Sequence, residues 1–126
     1  MIKRIQFTGV WVSDSDRAFD FYVNKLGFQV VQDRQLGPNF RFLMVAPPGG
    51  GAAMTVCKPM PGMKDARVGV DTTIAFETDD LHATYTELTA KGVQFSQPPT
   101  QTFWGGLEAT FTDPDGNSFM LHQLER

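Results

Sequence analysis

The chain repeats itself. Asp14, Ala18 and Gly27 recur as Asp79, Ala83 and Gly92 at a constant offset of 65 residues. In the first copy Ile5 to Val12 reads as a strand, and Ser13 or Asp14 as a helix N-cap, with Ser13-x-x-Asp16 a variant of the capping box. Ala18, Phe19, Tyr22, Val23 and Leu26 follow at helical spacing, and Gly27 stands where a helix ends on a left-handed residue. Phe28 to Gln32, Phe40 to Ala46 and Ala52 to Lys58 read as three further strands. The second copy runs in the same order. Asp71 to Thr78 is a strand, Asp79 or Asp80 caps a helix with the stripe Leu81, Tyr85 and Leu88, and Gly92 ends it. Val93 to Ser96, Glu108 to Thr112 and Asn117 to Gln123 complete the set.

Each half is therefore a βαβββ unit, and neither buries both faces of its sheet well alone. The reading predicts an α+β fold, two βαβββ modules forming a cupped eight-stranded mixed sheet with helices outside. It divides a single domain, residues 1–126, into module 1 (about 1–58), a linker rich in Pro, Gly and Met (59–69) and module 2 (about 70–126).

The last strands of module 2 flank Asp113-Pro114-Asp115-Gly116-Asn117, a hairpin signal. Pro114 presets φ for a turn, and Asp115-Gly116 supplies the positive φ of a tight reversal. Beyond it Ser118, Met120 and His122 share one strand face, and Phe119, Leu121 and Gln123 the other.

Composition narrows the class. The single cysteine, Cys57, excludes an intramolecular disulfide, and no paired Cys/His spacing suggests structural zinc. No run approaches the ~20 apolar residues of a membrane span, and MIKRIQF lacks the apolar core of a signal peptide. A soluble, cytoplasmic protein without a membrane partner is expected. A net charge of −3 with no Lys/Arg run argues against nucleic acid. Eleven Phe, six Met and two Trp are a large apolar supply, most of it core and some of it available to line a pocket.

Three stretches, WVSDSDRAFDFYVNKLGF, TDDLHATYTELTAKGV and TDPDGNSFMLHQ, resemble the vicinal oxygen chelate superfamily of glyoxalase I, bleomycin-resistance proteins, extradiol dioxygenases and fosfomycin-resistance enzymes. The resemblance implies paired modules and a homodimer, but no single activity, because one scaffold carries several chemistries and pure binding. Enzymes of that superfamily hold a divalent metal with one inward His, Glu or Gln from each of four strands. Carried over one by one, those positions fall at Phe7, Thr55, Thr73 and Met120. Phenyl cannot ligate, a thioether suits a hard or borderline cation poorly, and neutral hydroxyls do not replace carboxylate and imidazole. The expectation is a protein without metal or other cofactor.

In the same register the inward wall would include Phe7, Gly9, Trp11, Ala53, Thr55, Cys57, Asp71, Thr73, Ala75, Met120 and His122. Phe103-Trp104-Gly105-Gly106 would border it. This lining suits a flat, mostly apolar ligand, with Gly9 leaving a gap, or else its large side chains fill the cup as core. His122 is a wall residue, a ligand-orienting contact or a general acid or base, with Asp71 and Glu77 as possible partners. His82 reads as surface, Cys57 as a small buried residue, and Arg41 as a solvated edge charge or an anion partner. The reading settles on a glyoxalase-like or bleomycin-resistance-like protein without the metal ligands. It would bind a small aromatic or apolar molecule through Phe7, Trp11, Thr55, Thr73, Trp104, Met120 and His122. The rivals are a lyase- or isomerase-type enzyme using His122 or a non-standard metal site, and an interaction module with a closed cup.

Overall fold

A computed structural model describes residues 1–125. The chain divides into two compact units, the first Met1–Gly69 and the second starting at Val70. In the first, β1 (Phe7–Trp11) leads to α1 (Ser15–Phe19), a π-helical turn (Asp20–Lys25), then β2 (Gln29–Gln35), β3 (Arg41–Ala46) and β4 (Ala53–Cys57). The second carries β5 (Asp71–Glu77), α2 (Leu81–Ala90), β6 (Gln94–Gln101), β7 (Leu107–Thr112) and β8 (Ser118–Gln123). The sheet orders are β1-β4-β3-β2 and β5-β8-β7-β6. The first-named pair is parallel in each sheet and the remaining pairs are antiparallel. The repeat thus has identical topology in both copies, and the α+β class is as the sequence predicts, realised as two four-stranded mixed sheets. Residues 59–69 group with the first unit, and Val68 forms a parallel bridge to Trp11.

Each helix starts on an aspartate. Asp14 accepts from the Arg17 N–H at 3.0 Å, and Asp80 accepts from the Ala83 N–H at 3.0 Å. Gly27 and Gly92 follow the helices at φ +77° and +89°. The caps are therefore 66 residues apart and the glycines 65, so the constant offset needs correction: the first helix holds one extra residue. The π-helical turn absorbs it, with Leu26 N–H donating to the Phe21 carbonyl five residues back at 2.9 Å. The wider turn rotates the apolar face. Phe21, absent from the stripe read at regular spacing, is buried beside Tyr22 with ring centroids 5.0 Å apart, whereas Phe19 is only half-buried.

The second unit's core is aromatic. Tyr85 of α2 meets Phe95 edge-on at 4.7 Å, Phe95 meets Phe111 at 5.8 Å, and Phe111 stacks on Phe119 at 5.5 Å. Strand β6 extends past the expected Ser96 to Gln101 through Pro98-Pro99. Prolines have no N–H to give a ladder, and β6 lies at a sheet edge where its register shifts between Gln97 and Thr100.

Arg41 is neither a solvated edge charge nor a free anion partner. Its Nε and Nη2 grip both carboxylate oxygens of Asp33 at 2.9 Å, its Nη1 reaches Asp16 at 2.8 Å, and it lies over the Phe19 ring at 5.6 Å. The clamp ties the β2–β3 hairpin to α1. The guanidinium's hydrogen bonds hold the Asp33 carboxyl below its ordinary range, and the capping bond from the Arg17 N–H does the same for Asp14. A depressed native pKa gives stability that is present above the unfolded value, near 3.8, and lost as pH falls through the native one. Thermal unfolding between pH 5 and pH 2.5 is expected to show Tm dropping below about pH 4. Asp33→Asn should lower Tm at pH 5 and flatten that acid loss; an unaltered profile would remove the clamp from the account.

Candidate functional site

The site is built outward from the β7–β8 hairpin. Gly116 at φ +86° closes the turn, and Asp113 Oδ1 accepts from the N–H groups of Asp115 and Asn117, both at 2.9 Å. The turn fixes Thr112 opposite Ser118, hence Thr110 opposite Met120 and Glu108 opposite His122. Alternation then sorts the side chains. Ala109, Phe111, Phe119 and Leu121 are buried, while Glu108, Thr110, Met120 and His122 lie on the other, more open face. Along β5, Ala75 pairs with Met120 and Glu77 with His122, and Thr73 lies exposed in the irregular stretch between Asp71 and Ala75.

His122 Nε2 stands 3.5 Å from Glu108 Oε2, with the two side chains 27% and 14% exposed. That is ion-pair distance, but Nε2 makes no hydrogen bond although it is shielded from solvent. Asp71, one of the two partners considered from sequence, instead accepts from Ser118 Oγ at 2.7 Å. Glu77, the other, is the parallel neighbour of His122 and is exposed. Glu108 is the residue that sequence reasoning missed. Counting four steps out from the turn along each strand would have found it.

Trp104 completes this face. Its ring centroid is 6.3 Å from that of His122 and 4.8 Å from that of Phe103, which it meets edge-on. The loop is pinned at its base: Thr102 N–H donates to the Gly106 carbonyl at 3.1 Å, and Thr102 Oγ1 to the Gly105 carbonyl at 2.8 Å. Gly106, at φ +87°, lies so close to the Gln123 carbonyl that a Cβ would collide with it. Trp104 is nonetheless 57% exposed and Phe103 96%.

The first unit holds the remaining candidates. Gly9 pairs with Thr55, and Thr55 Oγ1 occupies the position a Gly9 Cβ would take while donating to the Thr8 carbonyl at 3.4 Å. The gap expected over Gly9 is thus filled by Thr55. Phe7 is half exposed. Cys57 is buried, its thiol 3.7 Å from the Leu43 carbonyl, and burial pushes the thiol pKa up, which suits packing and not nucleophilic attack. Trp11 borders a shallow depression of about 530 Å³ with Gly62 to Ala66, including Lys64 and Asp65. His82 is exposed on α2, as expected.

Phe7, Thr55, Thr73 and Met120, the positions to which the resemblance carries the superfamily's metal ligands, offer a phenyl, two hydroxyls and a thioether, a donor set that does not fit a divalent ion. Among the described residues no group of three or more His, Cys, Asp and Glu is gathered for one elsewhere.

Two βαβββ modules of identical strand order, each carrying a four-stranded mixed sheet, define a paired-module α+β protein of the glyoxalase type. The model of the Glyoxalase/Bleomycin resistance protein/Dioxygenase superfamily matches residues 4–121, and the chain belongs to that superfamily. A superfamily member from Sphaerobacter thermophilus DSM 20745 has a crystal structure similar at TM-score 0.85 and 42% identity, covering 97% of this chain and 98% of its own. TnmS3, an antibiotic binding protein from Streptomyces sp. CB03234, is similar at TM-score 0.84 and 35% identity, covering 98% of both chains. The uncharacterised protein YetH of Bacillus subtilis (strain 168) is 35% identical over 123 residues, 98% of this chain and 100% of its own. Among the described residues no helix is long and apolar enough to cross a membrane.

Proposed function

We propose that the protein is a metal-independent binding member of its superfamily that takes up a small aromatic or otherwise apolar molecule. The observation that carries this reading is the face of the second sheet, where Trp104 stands largely exposed beside His122 and Met120 lies between Thr110 and Ala75. An exposed indole on a pinned loop gives stacking area at little cost in ordering. Thr73 on β5 adds a hydroxyl. In the first unit the depression beside Trp11, with Phe7 and Thr55 on neighbouring positions of the same sheet face, is a second aromatic surface. The likeness to TnmS3, an antibiotic binding protein, supports binding over turnover. The chemistry of Phe7, Thr55, Thr73 and Met120 supports independence from metal. A homodimer in the cytoplasm, with no nucleic acid partner, belongs to the same proposal. The exposed apolar side chains Ile5, Val30, Val31 and Leu36 favour self-association.

A second reading, a lyase- or isomerase-type enzyme working through His122, is favoured by one observation, the Glu108 carboxylate beside the imidazole.

A thermal-shift series with fused-ring aromatics such as 2-naphthol, run in a chelator, tests the proposal. A ligand at 100 times its Kd adds ~2.7 kcal/mol, a rise in Tm of about 10 °C for a chain of this size. Flat melting curves across the series would reject binding and leave the enzyme reading to be tested by turnover in His122→Ala.

A further inference from the structure

His122 presents one unsatisfied ring nitrogen. Nε2 is shielded from solvent, makes no hydrogen bond, and has one carboxylate oxygen at 3.5 Å, that of Glu108. Among the described residues no other Asp or Glu comes within ion-pair reach of it. A buried N–H left unmade costs about 1–3 kcal/mol, and the 3.5 Å separation is only a few tenths of an ångström beyond an ordinary N–H···O bond. An unprotonated Nε2 facing a carboxylate would set two lone pairs against each other. Completing the bond therefore places the proton on Nε2. In the neutral imidazole Nδ1 is then left as the acceptor.

We infer that Glu108 is a positioning residue that holds His122 as the Nε2–H tautomer, so that Nδ1 accepts from a hydroxyl or N–H group on an aromatic ligand stacked at Trp104. The inference rests on the binding reading above and sharpens it to a ligand class: a fused or single aromatic ring carrying a proton donor, such as a phenol. No covalent step is involved. Trp104 supplies the stacking surface beside the imidazole, with centroids 6.3 Å apart. Nδ1 supplies the one directional contact. A site built to accept from a donor discriminates against the same ring with the donor blocked, because an acceptor is then covered without a partner.

Two measurements test it, and they fail separately. The first uses ligand-free protein labelled with 15N-histidine at about pH 8, where an ordinary imidazole is neutral. His82 serves as the exposed control, and His122→Gln assigns the signals. The expected result is a single His122 tautomer with a slowly exchanging Nε2–H proton. Glu108→Gln, whose amide oxygen still accepts, should keep it, and Glu108→Leu should lose it. A proton on Nδ1, or a mixture like that of His82 in the wild-type protein, overturns the positioning role whether or not the variants fold. The second compares 2-naphthol with 2-methoxynaphthalene. The naphthol is expected to bind about tenfold more tightly, and the preference to vanish in His122→Phe. Equal affinities overturn the ligand class. If neither compound binds while the tautomer is as expected, the binding reading falls and the Glu108–His122 pairing stands.

Discussion

Replacing Asn117 by alanine is expected to destabilise the protein by about 3–5 kcal/mol, among the largest losses available outside its aromatic core. The side chain is wholly buried. Its Nδ2 donates to Asp113 Oδ2 at 2.9 Å, and its Oδ1 accepts from the Val70 N–H at 2.9 Å. Alanine keeps the backbone bond to Asp113 Oδ1 but removes these side-chain bonds. The Val70 N–H loses its acceptor, and a carboxylate only 4% exposed loses a donor that water cannot readily replace. The effect also reaches beyond the turn, because Val70 opens the second unit and its carbonyl accepts from the Ser118 N–H at 3.0 Å. Urea unfolding should show a lower midpoint with an unchanged slope. A loss under 1 kcal/mol would mean that the hairpin is held by Gly116 and strand pairing alone.

Phe119→Ala should cost about as much, 3–5 kcal/mol, for a different reason. The ring is fully buried between Phe111 at 5.5 Å, nearly parallel, and Phe76 at 5.5 Å. Both neighbours belong to other strands of the same sheet, so the space left by the ring cannot close without moving β5 and β7. Phe103→Ala is the control. That ring is almost wholly exposed, and its removal should stay within about 0.5 kcal/mol. Comparable losses from both substitutions would contradict the assignment of faces on which the candidate site depends, since Phe119 and His122 are assigned to opposite faces of one strand.

What could be read from the chain followed from short-range rules. The aspartate caps, the glycines after each helix and the DPDGN turn are local signals with local causes, and they located both helices and the final hairpin. What escaped was set by register or by neighbours. The π-helical turn depends on a single extra residue between Asp14 and Gly27, visible only when the two caps are aligned with structure in hand. The strand expected to stop at Ser96 continues to Gln101 through Pro98-Pro99, which discourages a strand but is tolerated at an edge position. Gly9 suggested open space, and the Thr55 hydroxyl from a strand 46 residues away fills it. The faces of Met120 and His122 were legible from alternation. The partner of His122 was not sought on β7, although the hairpin register assigns Glu108 to it. Arg41 shows the limit most plainly, since its two acceptors lie on β2 and α1 and only the fold brings them together.

The central claim, binding of an aromatic molecule without metal, is tested most directly by calorimetric titration of 2-naphthol into protein stripped by a chelator, alongside untreated protein. The account predicts one saturable transition of the same Kd in both samples, weakened about tenfold or more in Trp104→Ala by loss of the stacking surface. Binding that is absent after stripping and returns when a divalent ion is added would contradict it.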